Sequence, residues 1–374
     1  MAVKLIKFLD RSIGSLLCGV LGIAGKNKKP PFNRVLVVQL WGIGETVLAL
    51  PSIRALRNKC KNAKINVLAT KRNSDVFYGN KDIGELIVLK LNPISILSFI
   101  IKNYRKYDLI IDMEEYLNIS AIISFFAGKY RIGYSHGARA KIYDVRVNYN
   151  ERQHVAYTFL DLLKPLGIKK GVKNLVKLDY CTEDRKKVES LLKSYNIEKK
   201  DFLIGFGVGA AESAKSRMWP KERFAELADW LIERHNAKII LIGNNDEKKL
   251  VNEIMNLIKN KKNSFDFAGK INVREMFYLI SLCRLFIGND SGPMHVAAAQ
   301  GVKTIGLFGC NLPVRFEPFG KGNYAIYKKS TQDACINVHL GQVDECRYGM
   351  ENACVRKIQV EDVIEVVNKI VKKG

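Results

Sequence analysis

The stretch Ile287-Gly288-Asn289-Asp290-Ser291-Gly292-Pro293-Met294-His295 decides the fold. A strand-like apolar run, Leu285–Gly288, ends in a short polar turn. A helix over 293–300 then opens with proline near its first position, where the missing N–H costs nothing. Asp290 and Ser291 are good capping residues. Gly292 lets a ligand approach the backbone closely, and the N–H groups at the helix start form an anion site suited to a diphosphate. The plain alternative is a strand–turn–helix junction with a well-formed cap. The convergence of Asp290, Ser291, Gly292 and His295 in one turn at the carboxyl edge of a sheet favours a ligand site.

Outward from this turn the same alternation repeats. Before it come strands at Phe202–Val208, Lys238–Gly243 and Phe265–Ala268, with helices over 221–234, 246–260 and 272–283; after it comes a strand at Thr304–Phe308. The first half has its own set: strands at Arg34–Leu40, Lys64–Ala69, Glu85–Leu89 and Asp108–Asp112, with a helix over 46–57. Runs this rich in Val, Ile and Leu suit parallel sheets covered on both faces. A segment over 165–200, with Pro165, Gly167 and a dense run of Lys and Glu, separates the halves as a linker plus helix. The expected class is therefore α/β, two doubly wound Rossmann-like domains facing a cleft, with an amphipathic helix over 360–372 closing the chain.

A second turn follows the first strand: Gln39-Leu40-Trp41-Gly42-Ile43-Gly44-Glu45-Thr46-Val47. It has G-x-G, but Val47 stands where a dinucleotide fingerprint wants glycine, and the lysine of a P-loop is absent. Gly42 and Gly44 admit something bulky, and Glu45 falls at a helix start. There a carboxylate is either favourable with the helix dipole or a general base.

Composition narrows the partners. With 61 Lys+Arg against 37 Asp+Glu among 374 residues the formal net charge is +24, and 47% hydrophobic residues exclude a disordered chain. The excess is uneven: residues 1–170 hold 28 basic and 12 acidic side chains, 171–374 hold 33 and 25. Such a field steers polyanions: nucleic acid, anionic lipid or phosphorylated glycan. No RNP-like aromatic motif, helix-turn-helix signature or zinc finger supports nucleic acid. Eight scattered cysteines fit a reducing compartment. The cluster Cys335, Cys346 and Cys354 with His339 matches no common zinc spacing, and reduced or structural thiols are the expectation.

The first 25 residues read as an amphipathic helix, with Leu5, Phe8, Leu9, Ile13, Leu16, Leu17 and Val20 on one face, followed by a basic, proline-bearing breaker over 26–31. Such a cationic helix either lies in a membrane interface or docks its apolar face on the protein itself. No apolar run reaches 18 residues, so a conventional transmembrane helix is not expected.

Three segments carry a resemblance. Arg34–Arg57, Arg217-Met218-Trp219-Pro220 with the following helix, and Gly288–Gly309 stand in matching order with glycosyltransferase family 9, the ADP-heptose:lipopolysaccharide heptosyltransferases. The resemblance implies a GT-B fold, with an arm over 1–29, an acceptor-binding domain over 30–175, a nucleotide-sugar domain over 176–358 and a terminal helix over 359–374. It implies an inverting transfer without cofactor or metal, from ADP-heptose to a lipopolysaccharide core or related anionic glycolipid, at the inner face of the cell membrane. Asp290, Ser291, Gly292 and His295 match the donor motif. Arg217 stands where the family usually has a phosphate-contacting lysine, with Lys215 nearby. Glu247, with Asp246 next, matches the ribose-binding carboxylate. Glu45 stands where the catalytic base is normally aspartate, one methylene shorter. The acceptor role given to the first half makes Lys59, Lys61, Lys64, Lys71, Arg72, Arg131, Arg139 and Lys141 candidates for its anionic groups. The competing reading is a non-catalytic or differently specific nucleotide-sugar-binding protein on the same fold.

Overall fold

The computed structural model describes residues 10–23, 27–28, 30–169, 171–210, 212–328 and 354–371. They form two compact units with the changeover at Val172–Lys173, each built on its own parallel sheet. In the first, the strands β1 (Arg34–Val38), β2 (Lys64–Ala69), β3 (Glu85–Val88), β4 (Tyr107–Asp112), β5 (Gly128–Tyr134) and β6 (Val145–Val147) lie in the order β3-β2-β1-β4-β5-β6. In the second, β7 (Leu203–Gly207), β8 (Lys238–Ile242), β9 (Ser264–Asp266), β10 (Leu285–Asn289), β11 (Lys303–Phe308) and β12 (Tyr324–Tyr327) lie in the order β12-β11-β10-β7-β8-β9. Both orders reverse once, between β1 and β4 and between β10 and β7. The crevice beyond the carboxyl ends of those strands is where open α/β sheets bind ligands.

The apolar runs explain the layers. Val35–Val38 and Ile204–Phe206 are wholly buried, as strands covered on both faces must be. In the second unit Val208, Phe224, Leu231, Ile239, Ile287 and Ile305 share one core with Val363 and Val367 of the terminal helix Val360–Val371. Its apolar stripe thus closes the sheet it follows.

The first helix runs from Ile43 to Lys59, three residues earlier than its apolar pattern indicates, so Gly44 and Glu45 belong to its first turn. Gly42, at φ +41°, makes the reversal that starts it.

The arm departs from the expected helix. Asp10–Gly14 is a π-turn and Ser15–Leu21 a short α-helix; residues 1–9 and 24–26 lie outside the described residues. Its polar side faces the protein. The Asp10 carboxylate accepts the N–H groups of Asn118 (3.0 Å) and Ile119 (2.7 Å), capping the Asn118–Ala127 helix, and Ser15 accepts from the Asn118 amide at 3.1 Å. Cys18 is buried beside Ala121 and Tyr143. Gly14 and Gly22 allow this approach, since a Cβ on either would come within 3 Å of Asn118 or Lys141. Ile13, Leu16, Leu17, Val20 and Ile23 point outward and are exposed.

Candidate active site

In the second unit the site grows from the ends of β7 and β10. The Asn289 side chain accepts the Trp219 N–H at 3.0 Å and donates to the Val208 carbonyl at 2.7 Å, tying the segment after β7 to β10. Asp290, nearly fully buried, pairs with Arg217 (Nη1 to Oδ2, 3.3 Å) and accepts from the Asn311 amide at 2.9 Å. Arg217 closes the turn Glu212–Arg217 and is only 18% exposed, with Nη1 held by Asp290. Lys215, on the same turn, is exposed.

Ser291 occupies the cap position of the Gly292–Gln300 helix but does not cap it with its side chain, contrary to the expectation from its type. Its hydroxyl instead donates back to the Asn289 carbonyl at 3.1 Å. The helix start therefore keeps backbone donors for an anion, as its dipole favours. His295, one turn in, is buried.

Glu247 reaches the same edge from the far side of β7. Its carboxylate accepts the Asn244 N–H at 2.7 Å and presses against Gly209, where a Cβ would stand 1.7 Å from Oε1. Burial raises its pKa above the usual carboxylate range, opposed by that N–H. Asp246 next to it is exposed.

In the first unit the turn after β1 is held by a residue that sequence spacing did not single out. Glu114, two residues beyond β4 and buried, accepts the N–H groups of Leu40 (2.5 Å) and Trp41 (3.0 Å). Burial pushes its pKa up to about 8, with Asp112 adding to the rise and the two N–H groups opposing it. Asn73 donates to the Gln39 carbonyl and to the Thr46 hydroxyl, and Thr46 donates to the Gly42 carbonyl at 2.7 Å. The Arg72 guanidinium lies over the Trp41 ring at 4.6 Å. Glu45 is half-buried with its carboxylate turned over Gly42, where a Cβ would stand 1.9 Å from Oε2.

Two of the basic acceptor candidates are corrected. Arg139 is buried with Asp112 (3.0 Å), beneath Tyr143, and Arg131 is buried with Asp144 (2.8 Å). Each guanidinium is consumed inside the fold, because its strand or turn places it opposite a carboxylate on a neighbouring element. Asn289, Asn311 and Glu114 are the contributors that sequence spacing missed. All three are polar residues at or just past the end of a central strand, the signal by which they could have been found. Cys354 is buried, while Cys335, Cys346 and His339 lie outside the described residues. Among the described residues no three His, Cys, Asp or Glu side chains are grouped to hold a metal.

The model of glycosyltransferase family 9 (heptosyltransferase) matches residues 101–339, more than half of the chain. The chain belongs to glycosyltransferase family 9. This family 9 enzyme is 24% identical over 340 residues to the lipooligosaccharide heptosyltransferase 2 of Campylobacter jejuni, covering 89% of this chain and 96% of that one. It is 26% identical over 301 residues to the lipopolysaccharide heptosyltransferase 3 of Escherichia coli K12, covering 75% and 86%. Among solved structures, a family 9 glycosyltransferase from Veillonella parvula superposes with a TM-score of 0.80 at 22% identity, covering 93% of this chain and all of that one. The Escherichia coli ADP-heptose lps heptosyltransferase II does so at 0.71 and 20% identity, covering 91% and 99%. The likeness and the two doubly wound units agree with a GT-B architecture.

Proposed function

We propose that this family 9 glycosyltransferase moves heptose from ADP-heptose to a lipopolysaccharide core or related anionic glycolipid, inverting the anomeric centre and using no metal. The observation that carries the reading is the Arg217–Asp290 pair beside the start of the Gly292–Gln300 helix. Together they offer an anchored cation and backbone donors where a nucleoside diphosphate would sit, which is where negative charge grows as the sugar leaves. Glu247, seated against Gly209, supplies a carboxylate at the same edge, suited to the ribose hydroxyls.

In this reading Glu45 takes the proton from the acceptor hydroxyl as its oxygen attacks the anomeric carbon. The bond to the diphosphate breaks on the opposite face and ADP leaves with the charge. Glu45 stands in the first turn of a helix, where the dipole favours a carboxylate. The Campylobacter jejuni and Escherichia coli relatives are heptosyltransferases, which supports heptose as the sugar. Work at the inner face of the cell membrane is supported by the arm, whose polar side is spent on the protein and whose apolar side is outward. Among the described residues no helix is long and apolar enough to cross a membrane. Purified protein given ADP-heptose and a deep-rough lipid acceptor should release ADP; nucleotide binding without release would sink the enzymatic reading for that donor.

A further inference from the structure

The helix Pro93–Lys102 of the first unit is apolar on two faces, which folding alone does not require. Phe99 is buried in the core with Leu36, Val38 and Ile110, and Ile96 and Ile100 pack beside it. On the other side Ile94, Leu97 and Ile101 are exposed by 82%, 58% and 67%, and Tyr104, just past the end, by 63%. These positions fall three, four and three apart and so share one face.

A groove of about 600 Å³ runs between this helix and the edge strand β3. Lys90, Lys102 and Lys106 line it beside Ile94 and Phe99; its one carboxylate, Glu85, is engaged by Lys64 and Asn66. Cations flanking an exposed apolar stripe match the two layers of an anionic bilayer surface, headgroup phosphates over acyl chain. The right-handed crossovers after β3 and β4 put the Pro93–Lys102 and Asn118–Ala127 helices on one side of the sheet. The arm packs on the Asn118–Ala127 helix and on the turn Ala138–Ile142, so its outward apolar side chains belong to that side too.

We propose that this face of the first unit, with Pro93–Lys102 as a second element beside the arm, docks on a bilayer of anionic phospholipid. Ile94, Leu97 and Ile101 enter the interface, and Lys90, Lys102 and Lys106 meet lipid phosphates. The docking does not depend on which sugar or acceptor the enzyme uses, nor on Glu45 being the base. The test is co-sedimentation of the full chain with phosphatidylglycerol–phosphatidylethanolamine vesicles and, separately, phosphatidylcholine vesicles. Wild type should bind the first and leave the second. Leu97→Ser with Ile101→Ser should weaken that binding at least tenfold, and Lys90→Gln with Lys102→Gln should lower both the binding and its salt dependence. ADP affinity and circular dichroism should be unchanged in both, since the substituted positions lie on the surface. Wild-type sedimentation of the Leu97/Ile101 variant would overturn the proposal. So would complete loss of binding in Leu16→Ser with Val20→Ser, which leaves the Pro93–Lys102 face intact. A wild-type dimer that becomes monomeric in the Leu97/Ile101 variant, with no vesicle binding, would overturn it in favour of a contact between copies.

Discussion

At Glu45 the carboxylate folds over Gly42 so closely that any side chain there would displace it. Gly42→Ala should therefore act twice, straining a φ of +41° by about 1 kcal/mol and moving the carboxylate. Glu45→Gln keeps the shape and removes only the base; kcat should fall by about 10²–10⁴ with ADP affinity intact, and undiminished turnover would remove Glu45 from the chemistry. Arg217→Ala removes the cation and leaves the buried Asp290 carboxylate to Asn311 alone, so donor KM should rise about 10–100-fold while the first unit is untouched. Glu114 gives a pH signature. The folded protein holds its proton up to about pH 8, the unfolded chain only to the usual 4.5. Its contribution to stability is therefore full below about pH 4.5 and is lost as pH rises through about 8. Glu114→Gln keeps the acceptor oxygen for Leu40 and Trp41, and its Tm should exceed that of wild type at pH 9 and converge with it toward pH 5. A constant difference across that range would mean Glu114 does not titrate there.

Among the elements, the buried group Asp112–Arg139–Tyr143 joins β4 to the turn before β6, with the Tyr143 hydroxyl donating to Asp112 at 2.6 Å. Arg139→Ala leaves Asp112 as a buried charge with only neutral donors, the Ser120 and Tyr143 hydroxyls and the Glu114 N–H, and urea unfolding should show a loss of about 3–5 kcal/mol. Sequence showed only some of these elements. Lys64–Ala69 is read to the residue because its apolar run, broken only by Asn66, has a turn bounding each end. β5, Gly-Lys-Tyr-Arg-Ile-Gly-Tyr, is not. Its two glycines look like breakers, yet a Cβ on Gly128 would meet Ile110 at 2.7 Å and one on Gly133 the Tyr143 ring at 2.4 Å. Both are there for close packing, which no local pattern announces. The Pro93–Lys102 helix is hidden for the opposite reason, since an element apolar on two faces shows little contrast between them. The Asp290 turn was legible because its residues are contiguous. Glu114 was not, because only the strand order brings residue 114 to residues 40 and 41.

Across the whole molecule each unit owns its sheet and its core, and the nucleotide-holding residues of the proposed reaction, Arg217, Glu247 and Asp290, belong to the second. Calorimetry with ADP at about a hundred times its Kd should raise the stability of the second unit by about 2.7 kcal/mol and shift its transition alone. A shift of the first unit's transition instead would misplace the nucleotide. The cap that Asp10 supplies to the Asn118–Ala127 helix spans 108 residues of chain. During synthesis the capping carboxylate is made long before the N–H groups it serves, so the arm has no polar surface to hold it until residue 119 has emerged. The orientation that turns Leu16 and Val20 outward is therefore acquired late, and a nascent chain shorter than this cannot present that face as the finished domain does.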